Sequence, residues 1–219
     1  MGLRERRGRQ DRQDSQARGM GETRVETARG EAARRHLQDV AALRIAVFRD
    51  WPYLYAGDPD YERAYLQAYT ASPRSVFVLA FDGDRVVGAS TGIPLVDDAE
   101  AFQLPFRAQG AAVGEVFYFG ESVLLPAYRG RGIGHAFFDA RESHARALGG
   151  FATTAFAAVD HKADDPRRPC GYRGNEAFWA KRGYARQPGL TMQLGWDEIG
   201  IGTCDHALTF WTRPLEPAR

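Results

Sequence analysis

The chain has 219 residues, of which 44% are hydrophobic and 26% are charged, and its formal net charge is +1. This composition is typical of a globular protein with one domain and a sizeable buried core. A net charge near zero provides no general attraction to nucleic acid or to a membrane surface, and no apolar run reaches the roughly 20 residues that span a bilayer.

The N-terminal residues and the cysteines also limit the class of protein. Residues 1–21 contain few side chains that can be buried, so we expect a disordered extension that cannot offset its ordering entropy. Its arginines have no apolar segment behind them, which argues against a secretory signal. The two cysteines, Cys170 and Cys204, make neither a disulfide framework nor a zinc set. We therefore expect a reduced, cytoplasmic protein without a bound metal, with residues 22–219 forming a single domain.

The hydrophobic pattern after residue 22 predicts strands and helices in alternation. The predicted strands are residues 23–28, 75–81, 85–93, 113–125, 151–159, 190–196 and 207–213. The predicted helices are residues 32–49, 60–69, 131–148 and 175–182. Asp82-Gly83 is typical of a hairpin turn between the second and third strands. This order of elements predicts an α/β layer fold around a mixed sheet.

A glycine-rich stretch, PAYRGRGIGHAFFDA at residues 126–140, lies between a predicted strand and a predicted helix. A helix that begins there directs its free N–H groups and the positive end of its dipole at the turn. Glycines allow a ligand to approach the backbone closely, and nearby arginines add donors that suit phosphate oxygens. The stretch therefore indicates either a plain strand-to-helix turn or a phosphate-binding turn. A Walker loop is excluded because Gly-Lys-Ser/Thr is missing, and a dinucleotide fingerprint is excluded by the GxGxG spacing.

The pattern Arg-x-x-Gly-x-Gly, formed by Arg129, Gly132 and Gly134 after Pro126-Ala127-Tyr128, resembles the acyl-CoA-binding signature of the GNAT N-acetyltransferase family. The resemblance covers nearly the whole chain from about residue 22. It implies the GNAT fold, an α/β structure with a mixed central sheet of about seven strands. The sheet would splay between the fourth and fifth strands and be flanked by four helices.

The resemblance also implies acetyl-CoA as the acyl donor and assigns residues to it. Backbone groups of Val123, Leu124 and Leu125 would pair with the pantetheine arm, although these residues also suit a plain core strand. The pyrophosphate would lie on the loop 129–134, which contains Arg129, Gly130, Arg131, Gly132, Ile133 and Gly134. Asn175 is either a helix cap or a contact to the cofactor.

Acetyl transfer to an alkyl amine requires a base, because the amine has a pKa near ~10.4. Glu121 is the candidate base, since many GNAT sequences carry a glutamate at this distance before the proline. The alternative role is a carboxylate paired with an arginine. Trp179 occupies the position of the family's usual tyrosine acid, and an indole cannot usefully donate a proton. Tyr172 and Tyr184 are the replacement candidates, unless the thiolate leaves unassisted.

The acceptor site has weaker signals in the sequence. Trp51, Tyr53 and Tyr55, in the loop between the first two helices, would form a wall for the acceptor or a hydrophobic patch under the loop. Asp160 and His161 follow the fifth strand and would lie near the sulfur end of the cofactor. We expect a small-molecule primary amine as acceptor. A non-catalytic acyl-CoA-binding module and acetylation of a protein amine stay open, and the resemblance is compatible with a homodimer.

Overall fold

The computed structural model describes residues 22–162 and 164–216, so the predicted extension at 1–21 lies outside the described residues. The strands are β1 Thr23–Ala28, β2 Val76–Asp82, β3 Arg85–Pro94, β4 Val116–Tyr118, β5 Ser122–Leu124, β6 Thr153–Val159, β7 Ala185–Glu198 and β8 Gly202–Pro214. The helices are α1 Gly30–Arg34, α2 Leu37–Phe48, α3 Pro59–Ala71, α4 Glu100–Ala108, α5 Ile133–Leu148 and α6 Glu176–Lys181. Across this part of the chain, the helices are all too short or too polar to cross a membrane.

The sheet has the strand order β1-β2-β3-β4-β6-β8-β7, and β5 pairs with β3 beside β4. Neighbouring strands are antiparallel except β4 and β6, which are parallel. In the hairpin of β2 and β3, Asp82 pairs with Arg85 next to the turn, and Gly83 within the turn has a φ of 58°. This mixed sheet with helices on both faces confirms the predicted fold class and the hairpin turn.

Two apolar clusters fill the layers on the two faces of the sheet. Along β2, Phe77 and Leu79 point into the cluster that contains residues of α2, α3 and α4. Their neighbours Val76 and Val78 point into the cluster that contains residues of α5. Because side chains alternate across a strand, a strand buried on both faces must be apolar throughout, which explains the continuous run at residues 76–81.

The prediction of one continuous strand at residues 113–125 is wrong. Residues Val113–Glu115 form a 3-10 turn, and an irregular segment separates β4 from β5. Gly120 lies in that segment against Tyr69 and Thr91, where a Cβ would come within 2.2 Å of the Tyr69 hydroxyl. Because the side chain of Tyr69 on α3 approaches this closely, the position requires glycine, and the strand is interrupted there.

The helices differ from the prediction at two places. The first predicted helix is divided into α1 and α2, which are separated by a turn at residues 35–36. Helix α4 was not predicted, because Pro105 interrupts its pattern and removes one backbone donor. It nevertheless forms because Phe102 and Phe106, four residues apart, are both buried in the core.

Candidate functional site

The sheet opens between β5 and β6. Tyr118 in β4 still pairs with Ala155 in β6, and the Phe119 N–H donates to the Ala155 carbonyl at 2.8 Å. Beyond this point β5 pairs with β3 alone. The resulting groove has a volume of about 650 Å³ and is lined by residues from both strands. The predicted splay between the fourth and fifth strands is therefore present in the structure.

Main-chain groups of β5 alternate between β3 and the groove. The carbonyl of Glu121 accepts from β3, and the N–H of Leu125 donates to β3 at 3.0 Å. Because hydrogen bonding alternates along an antiparallel strand, Val123 also turns its backbone toward β3, whereas Leu124 turns it toward the opening. Of the three predicted backbone contacts, Val123 and Leu125 therefore require correction: their main-chain groups are used inside the sheet, and the side chain of Val123 is buried. Leu124 lines the groove.

The glycine loop borders the groove at the N-terminus of α5. Gly130 and Gly132 have φ values of 78° and 83°, and a Cβ on either would meet no atom within 4 Å in the described part of the chain. Positive φ requires glycine here, and the open space leaves the loop amides accessible. Together with the free N–H groups of a 16-residue helix, this arrangement is able to hold an anion.

The side chains of the loop point in different directions. Arg129 lines the groove, and its Nε donates to the Leu124 carbonyl at 3.3 Å. Gly134 also lines the groove. By contrast, the guanidinium of Arg131 lies over the Tyr128 ring at 5.5 Å, and Ile133 is buried in the core. The side chain of Arg131, an expected donor to phosphate, is absent from the groove wall of the described residues, whereas the prediction for Ile133 concerned its backbone amide.

Aromatic side chains form another part of the same groove wall. Trp51, Tyr53, His161 and Tyr172 all line it. The Trp51 ring lies edge-on to His161 at 5.1 Å and to Tyr172 at 6.3 Å. The Trp51 Nε1 and His161 Nδ1 atoms are buried without a hydrogen-bond partner among the described residues. These two polar atoms therefore have no internal partner, and both are shielded from solvent.

Two predicted acceptor residues are occupied by other contacts. Tyr55 is buried, and its hydroxyl accepts from the Asp58 N–H at 3.0 Å, so it packs beneath the loop and is not part of the groove wall. Asp160 lines the groove, but its carboxylate accepts from Arg186 at 2.7 Å and from Thr209 at 2.6 Å. Its negative charge is therefore partly neutralised within the protein.

Glu121 lies in a buried network of charged and hydroxyl groups. Arg44, on α2, donates to Glu121 Oε2 at 2.6 Å and also to Glu62 on α3. Tyr65 donates to the same Glu121 oxygen at 3.2 Å. The other oxygen, Glu121 Oε1, has no hydrogen-bond partner in the part of the chain that the structure describes. Glu121 is thus paired with an arginine, which is one of the two roles that the sequence left open, and its second carboxylate oxygen is buried without a partner among the described residues.

Burial and charge act in opposite directions on this network. Burial lowers the pKa of the Arg44 guanidinium, but the charges of Glu121 and Glu62 outweigh it and hold the pKa above its ordinary value. Burial raises the pKa of Glu62 despite the neighbouring arginine. One arginine therefore compensates two buried carboxylates, and each carboxylate depends on it.

Arg141, on α5, holds the irregular segment between β4 and β5. Its Nη1 donates to the carbonyls of Thr91 at 3.3 Å and Glu121 at 3.1 Å. Its guanidinium lies over the Phe119 ring at 4.1 Å, and burial lowers its pKa to about 10. Arg141 lines the groove and fixes the backbone that carries Glu121.

The two candidate tyrosine acids have different surroundings. Tyr172 lines the groove, and burial raises the pKa of its hydroxyl. Tyr184 is buried in the core, where its hydroxyl contacts Thr154 at 2.9 Å and Glu142 at 3.2 Å. It is absent from the groove wall of the described residues. The assignment of Tyr184 as an acid is therefore corrected, because its hydroxyl is committed to structural hydrogen bonds.

Helix α6 brings two further predicted positions to the groove. Trp179 lines it and packs edge-on to Phe156 at 5.0 Å. Asn175 occupies the N-cap position, but its side chain makes no capping hydrogen bond within the described residues. The predicted capping hydrogen bond from the Asn175 side chain is therefore not formed among the described residues, and Asn175 lines the groove.

Sequence reasoning missed the residues that support Glu121. Arg44 follows Val40 by four residues and precedes Phe48 by four, so it falls on the apolar face of α2. Glu62 precedes Leu66 by four residues on α3, and Arg141 follows Phe137 by four on α5. A charged residue within an apolar stripe is a recognisable signal, and it would have indicated all three.

Comparison with known proteins gives a consistent picture. A family model described as the acetyltransferase (GNAT) family matches residues 40–170. None of the curated protein sequences matches this chain.

Solved structures with the same fold share few residues with the chain. The yncA protein from Salmonella typhimurium, solved with its cofactor acetyl-CoA, is 12% identical, with a TM-score of 0.54 over 90% of this chain and 96% of that one. A ribosomal-protein-alanine N-acetyltransferase from Brucella melitensis is 13% identical, with a TM-score of 0.57 over 88% and 99%. A GCN5-related N-acetyltransferase from Kribbella flavida is 20% identical, with a TM-score of 0.52 over 87% and 98%. At these identities the similarity concerns the fold.

Proposed function

The chain belongs to the GNAT acetyltransferase family, whose model spans more than half of its residues, and from this premise we propose direct transfer of an acetyl group from acetyl-CoA to the primary amine of a small molecule. Family membership makes the protein an acyltransferase with acetyl-CoA as its acyl donor. The observation that carries the proposal is the groove between β5 and β6, which adjoins the glycine loop.

The residues of the groove fit an acyl-CoA. The open backbone at Gly130 and Gly132 and the side chain of Arg129 suit the pyrophosphate. The main-chain groups of Leu124 that face the opening suit the amides of the pantetheine arm, in the manner of an added strand. Asn175 provides a further polar side chain on the groove wall. Acetyl-CoA supplies the acetyl thioester, and the remaining chemistry depends on proton transfer by the protein.

Proton transfer is assigned to two groups on the groove wall. The amine nitrogen attacks the acetyl carbonyl carbon and loses a proton to Glu121 Oε1, which has no other partner among the described residues. As the carbon–sulfur bond breaks, the leaving sulfur takes a proton from the hydroxyl of Tyr172. Burial raises the pKa of Tyr172, so its hydroxyl carries a proton at neutral pH, but the shift also makes it a weaker acid, and its assignment rests on its place in the groove wall. Arg44 and Arg141 act as positioning residues for Glu121.

The acceptor class is inferred from the shape and chemistry of the groove wall. The rings of Trp51, Tyr53 and Tyr172 offer an apolar, aromatic surface, and His161 adds an unpartnered nitrogen. Confined aromatic surfaces with a few polar atoms are typical of small-molecule sites. The acceptor of the Brucella structure is a protein, by its name, so acetylation of a protein amine is the second candidate.

Titration of acetyl-CoA into the protein tests the donor site. We expect Arg129→Ala to raise the Kd for acetyl-CoA by about 10- to 100-fold, because a charge-assisted hydrogen bond contributes about 1.5–3 kcal/mol. Arg131→Ala is the matched control on the same loop, since its guanidinium lies against Tyr128, and it should change the Kd by less than about threefold. Equal losses in both variants, or no loss at Arg129, would contradict this assignment.

Turnover with a panel of amines, followed by release of free thiol, separates the enzyme from a non-catalytic acyl-CoA-binding module.

The acid is tested by a pair of tyrosine variants. Tyr172→Phe should lower kcat by about 100-fold, because it removes the proton that the leaving sulfur takes. Tyr184→Phe should instead lower the melting temperature and leave kcat close to the wild-type value, because its hydroxyl bonds Thr154 and Glu142 in the core. An unchanged kcat in Tyr172→Phe would mean that the thiolate leaves without an acid.

A further inference from the structure

Three potential metal ligands meet at the tip of the hairpin formed by β7 and β8. Glu198 ends β7, and Cys204 and His206 lie on β8. The Cys204 Sγ atom is 3.3 Å from His206 Nε2 and 3.8 Å from Glu198 Oε2. The His206 Nε2 and Glu198 Oε2 atoms are 3.5 Å apart. The strand register, in which Cys204 faces Trp196 and Glu198 faces Gly202, brings the three side chains to one face of the hairpin.

These separations match those around a tetrahedral zinc ion. Bond lengths of about 2.3 Å to sulfur and about 2.0–2.1 Å to nitrogen or oxygen, at tetrahedral angles, give ligand separations of about 3.3–3.6 Å. The observed values of 3.3, 3.5 and 3.8 Å require shifts of only a few tenths of an ångström. One ion therefore fits between the three atoms without a change in the backbone.

Neighbouring groups hold the ligands in orientation. Arg167 donates a hydrogen bond to the other carboxylate oxygen, Glu198 Oε1, so that Oε2 faces the Cys204 sulfur. The Trp196 ring stacks on His206 with centroids 3.6 Å apart and planes 7° apart, and its Nε1 donates to the Tyr53 carbonyl at 3.0 Å. The side chains of Glu198 and His206 are 6% and 14% exposed. Ligands that are fixed by such outer partners pay little entropy when a metal binds.

We propose that Glu198, Cys204 and His206 bind one Zn²⁺ ion, or a first-row dication of similar softness, with a fourth position open to water. Thiolate, imidazole and carboxylate together are a ligand set that suits zinc. Binding removes the proton of the Cys204 thiol, so the two ligand anions balance the charge of the ion.

Metal binding at this position would stiffen the loop that carries the aromatic wall. The end of β7 holds that loop through two main-chain hydrogen bonds, from Ala56 to the Asp197 carbonyl and from Ile199 to the Leu54 carbonyl, each 2.8 Å long. The loop also contains Trp51 and Tyr53. An ion that fastens the hairpin tip therefore restrains a wall of the groove.

Cobalt titration of the chelator-treated protein tests the site, because a Co²⁺–thiolate bond gives a charge-transfer band in the near ultraviolet. We expect the band to saturate at one Co²⁺ per chain and to disappear when Zn²⁺ is added. Cys204→Ser should abolish the band, and His206→Gln should weaken binding at least about 100-fold, since even outer partners contribute 10- to 100-fold. Cys170→Ser removes the other, exposed cysteine and should keep both the band and the affinity.

The outcomes separate the metal site from a hydrogen-bonded thiol cluster. Absence of the band in the wild-type protein overturns the proposal, as does a band that survives Cys204→Ser or that depends on Cys170. Circular dichroism of each metal-free variant checks folding, and His206→Gln provides an independent measurement if Cys204→Ser does not fold. Because the readout is spectroscopic, the result does not depend on acetyl transfer.

Discussion

Replacing Arg44 with methionine should lower the free energy of unfolding by about 3–5 kcal/mol, because it leaves two buried carboxylates without their compensating charge. Glu62 and Glu121 are both buried, and both accept hydrogen bonds from this guanidinium. For a chain of this length the melting temperature should fall by about 6–20 °C. Thermal unfolding followed by circular dichroism measures the loss.

The pH dependence of this variant identifies the cause of the loss. Burial already raises the pKa of Glu62 in the wild-type protein, and loss of the Arg44 charge raises it further, so the folded state of the variant binds more protons than its unfolded state. The stability of the variant should therefore fall as pH rises, and its deficit should be larger near about pH 8 than near about pH 5. Arg63→Met is the matched control, since this exposed arginine pairs with Asp60 on the surface of α3 and should change stability by less than about 1 kcal/mol. A deficit that does not vary with pH would contradict the ion-pair explanation.

Replacing Glu121 with glutamine should lower kcat by about 10²- to 10⁴-fold, the usual contribution of a general base. The amide has nearly the same shape and can still accept from Arg44 and Tyr65, so the Kd for acetyl-CoA should stay close to the wild-type value. Steady-state kinetics measures kcat, and calorimetric titration measures the Kd for acetyl-CoA.

Two further variants make the result for Glu121 specific. Glu115→Gln removes an exposed carboxylate just before β4 and should leave kcat unchanged. His161→Gln removes the rival base on the groove wall. If kcat is retained in Glu121→Gln but lost in His161→Gln, the base is the histidine and Glu121 serves to position other groups.

The anion-binding geometry of the glycine loop was predictable from local sequence. Positive φ at Gly130 and Gly132, a helix that begins at Ile133 and an arginine at position 129 are features that a short stretch of chain specifies by itself. The alternation of strands and helices was predictable for a similar reason, because period and turn residues are local properties. Helix α4 was missed because burial of Phe102 and Phe106 outweighs the unfavourable Pro105, and burial is not a local property.

The surroundings of Glu121 and of the two candidate tyrosines depend on contacts between distant parts of the chain. The sequence identified Glu121 as a carboxylate before the glycine loop and left its role open. Its partner Arg44 is 77 residues away, and Arg141 holds its backbone from another helix. Tyr172 and Tyr184 were equivalent candidate acids in the sequence. The structure distinguishes them, because Tyr172 lines the groove whereas the Tyr184 hydroxyl contacts Thr154 in the core.

The α/β architecture and the position of the glycine loop were predictable from the sequence alone, because they follow from periodicity and spacing, and the family was indicated by the resemblance of the loop to the GNAT signature. Tertiary structure decided which strand edge opens, which side chains meet there and which charges they share. It also brought Cys204 and His206 to Glu198, although the sequence had indicated no metal site. The physical reason is the same in each case: hydrogen bonds, ion pairs and ligand geometry depend on distances of about 3 Å, and those distances exist only after the chain has folded.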